Sequence, residues 1–150
     1  MAIERYLEDF ATGQTFVSQS VAIDSRQIKA FAAEFDPQPQ HLDEAQAAGS
    51  IFGELVASGW HTAALTIKLI VLGEMRIAGG LIGSGLDDFQ WIRPVRPGDT
   101  LRVESEVVEI RQSISRLDQG VVRLKIATLN QHGSPVLTLV ANLIVPRRPA

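Results

Sequence analysis

The chain has no cysteine. That excludes disulfides, thiolate nucleophiles and cysteine-ligated metal sites. It has no basic surface patch written into its sequence. Fourteen Lys and Arg against seventeen Asp and Glu leave a net charge of −3, and the paired arginines Arg147-Arg148 sit in the tail. A nucleic-acid partner, which needs clustered positive charge, is therefore not expected. No apolar run is long enough to span a bilayer, since Ala63 to Leu72 is interrupted by Thr66 and Lys68. The first residues, Met1-Ala2-Ile3-Glu4-Arg5-Tyr6-Leu7-Glu8, carry charge where a secretory leader would be apolar, so the cytoplasm is the expected location. The three histidines, His41, His61 and His132, lack ligand-spaced partners, so no metal site is expected. Repeats, low-complexity segments and linkers are also missing.

What remains is ordinary globular material. The 150 residues are 45% hydrophobic and 21% charged, which fits one domain with a real core. A strand is expected over Gln14 to Ile23, after a turn at Thr12-Gly13. Asp24-Ser25 then looks like a helix cap, although Ile28 follows Ser25 at the third position and so denies Ser25 a full capping box. A helix from about Arg26 to Glu34 places Ile28, Phe31 and Phe35 near one face. A second helical stretch is expected over Leu42 to Ala48, ended by Gly49. From Trp60 to Leu72 nearly every position is apolar, the pattern of a buried helix, with Gly73 ending it. After Gly79-Gly80 the chain becomes extended. Leu81 to Ile92, Thr100 to Gln112, Gly120 to Asn130 and Val136 to Val145 read as strands. In the second, Arg102, Glu104 and Glu106 alternate with Val103 and Val107, the period-two pattern of a half-buried antiparallel sheet. The fold class is thus α+β: a curved antiparallel sheet wrapped round one long buried helix. Its exposed edges favour pairing of two copies.

One stretch carries chemistry. Phe35-Asp36-Pro37-Gln38-Pro39-Gln40-His41 sets a carboxylate and an imidazole five residues apart with two prolines between them. That spacing does not suit a helix face. Proline also removes the segment from a regular strand ladder and drives the preceding residue toward extended backbone. A stiff loop bearing two titratable groups suits acid–base work, which needs its groups held within hydrogen-bond reach of one position. The bland alternative is a solvent-facing turn.

Three segments, in order and at matching distances, resemble the MaoC-like dehydratase family, which includes the (R)-specific enoyl-CoA hydratases of the hot-dog fold. Asp36-Pro37-Gln38-Pro39-Gln40-His41 is similar to that family's D-x-N-P-x-H motif. Val56-Ala57-Ser58-Gly59-Trp60 resembles the segment that opens its long helix. Leu86 to Asp99, ending in Arg93-Pro94-Val95-Arg96-Pro97-Gly98-Asp99, looks like its strand and P-V-x-P-G-D turn, which hot-dog thioesterases share. The resemblance implies a single MaoC-like hot-dog domain over residues 1–150. It also implies a hydratase or dehydratase acting on 2-enoyl or 3-hydroxyacyl thioesters. The matching catalytic pair is Asp36 and His41, and the matching oxyanion donor is the Gly59 backbone N–H. Ser58, Trp60, Gln38, Arg93 and Arg96 are the expected substrate-binding residues, the two arginines being either contacts for the coenzyme A phosphates or plain residues of the turn. No cofactor is expected beyond the coenzyme A or acyl carrier that belongs to the substrate. The assembly implied is a homodimer, with a dimer of dimers left open.

The chain departs from the family pattern at several positions. Phe35 replaces the glycine before the aspartate, Gln38 replaces the asparagine, and Gln40 replaces an apolar residue. Ile67, beside Thr66, stands where the enoyl hydratases commonly carry a serine. Trp60 reads as core or tunnel lining, with the core the first choice, and His61 is expected in a structural hydrogen bond. Two further functions stay open on sequence alone: a hot-dog thioesterase, and a non-catalytic acyl-thioester-binding subunit.

Overall fold

Alternation in the C-terminal half builds the sheet. The computed structural model describes residues 3–150. Three long strands, β4 (Thr100–Gln112), β5 (Gln119–Leu129) and β6 (Pro135–Pro146), form a meander in which Leu101, Val103, Val107, Val122, Leu124 and Leu143 are buried. The outer positions carry Arg102, Glu104, Arg123 and Lys125, so one face is dry and the other wet. A fourth long strand, β3 (Ile82–Trp91), returns to pair with β6 at one edge. At the other edge β1 (Thr15–Val17) and β2 (Val21–Ala22) pair with β4. The sheet order is β1-β4-β5-β6-β3, with β2 also on β4, and every pairing is antiparallel.

The expected single strand over Gln14 to Ile23 is broken in two. Ser18 causes the break: its hydroxyl accepts the Val103 N–H at 2.8 Å and donates to the Gln19 carbonyl at 2.7 Å. A side chain thereby stands in for a ladder bond.

Helix α1 (Ser25–Phe35) begins one residue earlier than the Ser25 cap supposes. Asp24 is the cap, accepting the Gln27 N–H at 2.8 Å, and Gln27 returns a bond to the Asp24 N–H at 3.0 Å. A capping box is therefore present, shifted by one position. Two short helices follow, α2 (Pro39–Leu42) and α3 (Glu44–Ala48). Pro39 opens α2 because its fixed φ suits a first helical position. His41 consequently sits on a helical turn, and only the part of the motif before Pro39 is irregular.

Helix α4 (Gly59–Val71) lies on the dry face of the sheet, where the hydroxyls of Thr66 and Thr128 meet at 2.5 Å. Its buried side chains are His61, Thr62, Thr66, Leu69 and Ile70. The expectation that this helix is buried all round is corrected here. Trp60, Ile67 and Val71 are 59%, 44% and 52% exposed. Ala64, Ile67 and Val71 form an apolar stripe turned away from the sheet, and Trp60 continues it toward Phe89 and Trp91 of β3. Helical spacing alone cannot tell which apolar face the sheet covers, and here it covers the one that carries threonines. No helix among the described residues is long and apolar enough to cross a membrane.

Candidate active site

The end of α1 and the turn of α2 bring the two titratable groups together. Asp36 caps α1, its N–H bonded to the Ala32 carbonyl at 2.9 Å. The chain then folds tightly, with Gln38 N–H on the Asp36 carbonyl at 2.7 Å and His41 N–H on the Gln38 carbonyl at 3.0 Å. The result sets His41 Nε2 3.5 Å from Asp36 Oδ2, with side chains only 7% and 15% exposed.

The hydrogen bonds around this pair fix its chemistry. His41 Nδ1 lies 2.7 Å from the Val56 carbonyl oxygen. A carbonyl only accepts, so Nδ1 carries the hydrogen. In the neutral ring Nε2 then presents a lone pair toward the carboxylate. Two acceptors face each other across a gap that a donor with two O–H groups, such as water, would satisfy. The Asp36 carboxylate is held from behind: Oδ2 accepts from the Ser58 hydroxyl at 2.6 Å, and Oδ1 accepts from the Gln38 amide at 2.6 Å. The Ser58 hydroxyl is the main reason the Asp36 pKa lies below its ordinary value; the Gln38 amide and the nearby imidazole add to it, and burial opposes.

Ser58 also caps α4, its oxygen accepting the Trp60 N–H at 3.2 Å. One buried hydroxyl therefore ties the carboxylate to the helix start. Gly59 is the first residue of α4, where a backbone N–H has no acceptor inside the helix and the dipole is positive. Asp36, His41 and Gly59 line the same cavity of about 440 Å³, whose apolar wall includes Phe52, Val56, Trp91 and Val95.

The remaining expected residues divide. Gln38 and Arg93 line the cavity, and Arg93 Nη1 donates to the Pro135 carbonyl at 2.8 Å. Ser58 is fully buried behind it. Arg96 is not among the lining residues, and its Nε pairs with Glu54 at 3.0 Å. Trp60, read as core or tunnel lining, stands half-exposed in the cavity wall, packed against Phe89 and Trp91 of β3. His61 does not make the expected hydrogen bond through Nδ1, which has no partner among the described residues. Its ring stacks on Phe31 at 4.6 Å, and burial lowers its pKa. Thr66 is bonded to Thr128 and the Thr62 carbonyl, away from the cavity, and Ile67 points outward.

Two contributors escaped sequence reasoning. The Val56 carbonyl acts through its backbone, so its residue type carries no signal. Trp91 was visible only as part of the strand before the P-V-x-P-G-D turn. Its indole donates to the Gly59 carbonyl at 2.9 Å.

Residues 9–129 match the MaoC like domain. The chain belongs to that family. Its structure is similar to that of a MaoC-like dehydratase from Rhodospirillum rubrum, with 48% identity, a TM-score of 0.93, and 97% and 99% of the two chains covered. It is also similar to the R-hydratase PhaJ1 from Pseudomonas aeruginosa, with 29% identity, a TM-score of 0.73, and 95% and 86% covered. A stretch of 64 residues is 41% identical to a mesaconyl-CoA hydratase of Cereibacter sphaeroides, covering 43% of this chain and 18% of that protein. The fold is the hot-dog fold. Membership of this family, with hydratases among its relatives, supports a hydratase or dehydratase activity.

Proposed function

We propose that the protein adds water across the 2,3 double bond of a 2-enoyl thioester, or removes it from the 3-hydroxyacyl thioester. The observation that carries this reading is the convergence of His41 Nε2 and Asp36 Oδ2, 3.5 Å apart, on a cavity that Gly59 also lines. In this mechanism one water donates to both acceptors. Its oxygen attacks C3 while its proton passes to Nε2. The imidazolium forms beside the Asp36 carboxylate, which stabilises it. Negative charge moves to the thioester oxygen, where the Gly59 N–H and the helix dipole receive it. The enolate then takes the proton back from Nε2 at C2. Hydroxyl ends on C3 and hydrogen on C2 of the same face, and His41 returns to its starting tautomer. The lowered pKa of Asp36 suits a group that orients and stabilises rather than one that stores the proton.

Coenzyme A is the proposed handle, a reading supported by the mesaconyl-CoA hydratase likeness. Arg93, in the cavity wall, is the proposed contact for its phosphates, with Trp60 flanking the acyl path. The proposed assembly is a homodimer formed through the outer stripe of α4 and the free edge of β3.

Incubation with crotonyl-CoA tests the reaction. Loss of the enoyl absorbance without release of free thiol is expected. Free thiol would mean hydrolysis, the thioesterase reading. Neither change across straight, branched and carboxylated enoyl-CoAs would leave a binding subunit and refute the proposal.

A further inference from the structure

Glycine at position 59 has a steric cause that the substrate does not supply. A Cβ built on Gly59 would stand 2.6 Å from both Cε2 and Nε1 of Trp91, closer than side chains approach one another. The ring cannot easily yield. Its Nε1–H is committed to the Gly59 carbonyl at 2.9 Å. Trp60 meets it edge-on at 5.0 Å and Phe89 at 4.8 Å. Phe89 reaches this wedge through a bulge: Asp87 pairs with Val140 and Gln90 with Thr138, so β3 carries one extra residue there. Asp88 takes φ 52° at the bulge, and among the described residues no other non-glycine has a positive φ. Bulges of this kind re-aim side chains beside functional sites.

The geometry points to Trp91 as the positioning residue of the thioester end. It holds the first turn of α4 by the Gly59 carbonyl and bars any side chain at 59, and so sets where the Gly59 N–H points. This rests on the reading of that N–H as the oxyanion donor. A donor of that kind acts on charge that develops only in the transition state, so misplacing it lowers kcat more than it raises KM.

The test measures kcat and KM on the best enoyl-CoA of the panel above for Trp91→Phe, Trp91→Ala, Gly59→Ala, the double variant and His41→Ala. Trp91→Phe keeps a ring in the wedge and loses the indole N–H; kcat should fall on the order of tenfold with KM nearly unchanged. Gly59→Ala should lower kcat on the order of a hundredfold, the scale of one lost oxyanion donor. In the Trp91→Ala background the new Cβ meets no indole, so adding Gly59→Ala should lower kcat by less than about threefold. The same hundredfold loss in both backgrounds would overturn the role of Trp91. So would Trp91→Phe with wild-type kcat, or with only KM raised. Should Trp91→Ala fail to fold, the Trp91→Phe result decides alone. An inactive His41→Ala beside an unaffected Trp91→Phe removes only the positioning role. A fully active His41→Ala, or a wild type inert toward the whole panel, removes the reading of the site and this inference with it.

Discussion

Ser58 shows how much one hydroxyl can be asked to do. It donates to Asp36 and caps α4 through the Trp60 N–H. Because Asp36 has a lowered pKa in the folded state, ionisation favours folding above the unfolded carboxylate value of about 3.9. That contribution is lost as pH falls through the still lower folded value. Ser58→Ala removes the largest cause of the shift. Its destabilisation should therefore be greater at pH 7 than at pH 2.5, with a pH-independent remainder of about 1 kcal/mol from the lost cap. Urea unfolding at the two pH values measures the difference, and an equal destabilisation at both would refute the coupling. Asp36→Asn and His41→Ala should each lower hydration by roughly 10² to 10⁴-fold while thermal unfolding stays cooperative. Near-normal turnover in either would remove the dyad. At this scale the sequence exposes residue types and spacing, which mark Asp36 and His41 as a candidate pair; the family resemblance, not spacing, adds Gly59. The sequence hides partners that act through the backbone, such as the Val56 carbonyl that selects the imidazole tautomer.

Elements were legible where one force dominated. β4 runs over Thr100–Gln112 as expected, and β5 and β6 differ from expectation by one residue at each end, because alternation and hairpin turns both point to the same register. Legibility failed where side chains compete with the backbone. Ser18 breaks the first strand, Pro39 turns the motif helical, and Asp24 moves the cap. It failed again on α4, whose apolar residues face both ways while the sheet accepts only one face. The Asp24 cap is testable by itself. Asp24→Ala leaves the Gln27 N–H without its acceptor and should destabilise the protein by about 1 kcal/mol. Asp24 lies at the far end of α1 from Asp36, so kcat should not change. A lowered melting temperature with unaltered turnover is the expected pair of results; a loss of turnover would mean that α1 transmits disorder to the dyad.

As a whole molecule the protein leaves two complementary features uncovered. Trp60, Ile67 and Val71 make an apolar stripe on α4, and Ile82, Leu86 and Trp91 are exposed along β3. β3 also has a free edge among the described residues, where β6 is its one partner in the sheet. A long free edge beside apolar surface invites further pairing unless something covers it. A second copy supplies both needs at once: its own β3 can extend the sheet, and its own α4 stripe can bury this one about a two-fold axis. The proposed homodimer should therefore sediment at twice the chain mass of 16.3 kDa at micromolar concentration. Ile67→Glu combined with Val71→Glu places like charges on the proposed interface and should yield monomers. Because association stabilises the folded chain by mass action, the wild-type melting temperature should rise with protein concentration and that of the double variant should not. Both positions are exposed in the single chain, so the substitutions leave its core intact. A monomeric wild type, or a double variant that remains dimeric, would place the interface elsewhere.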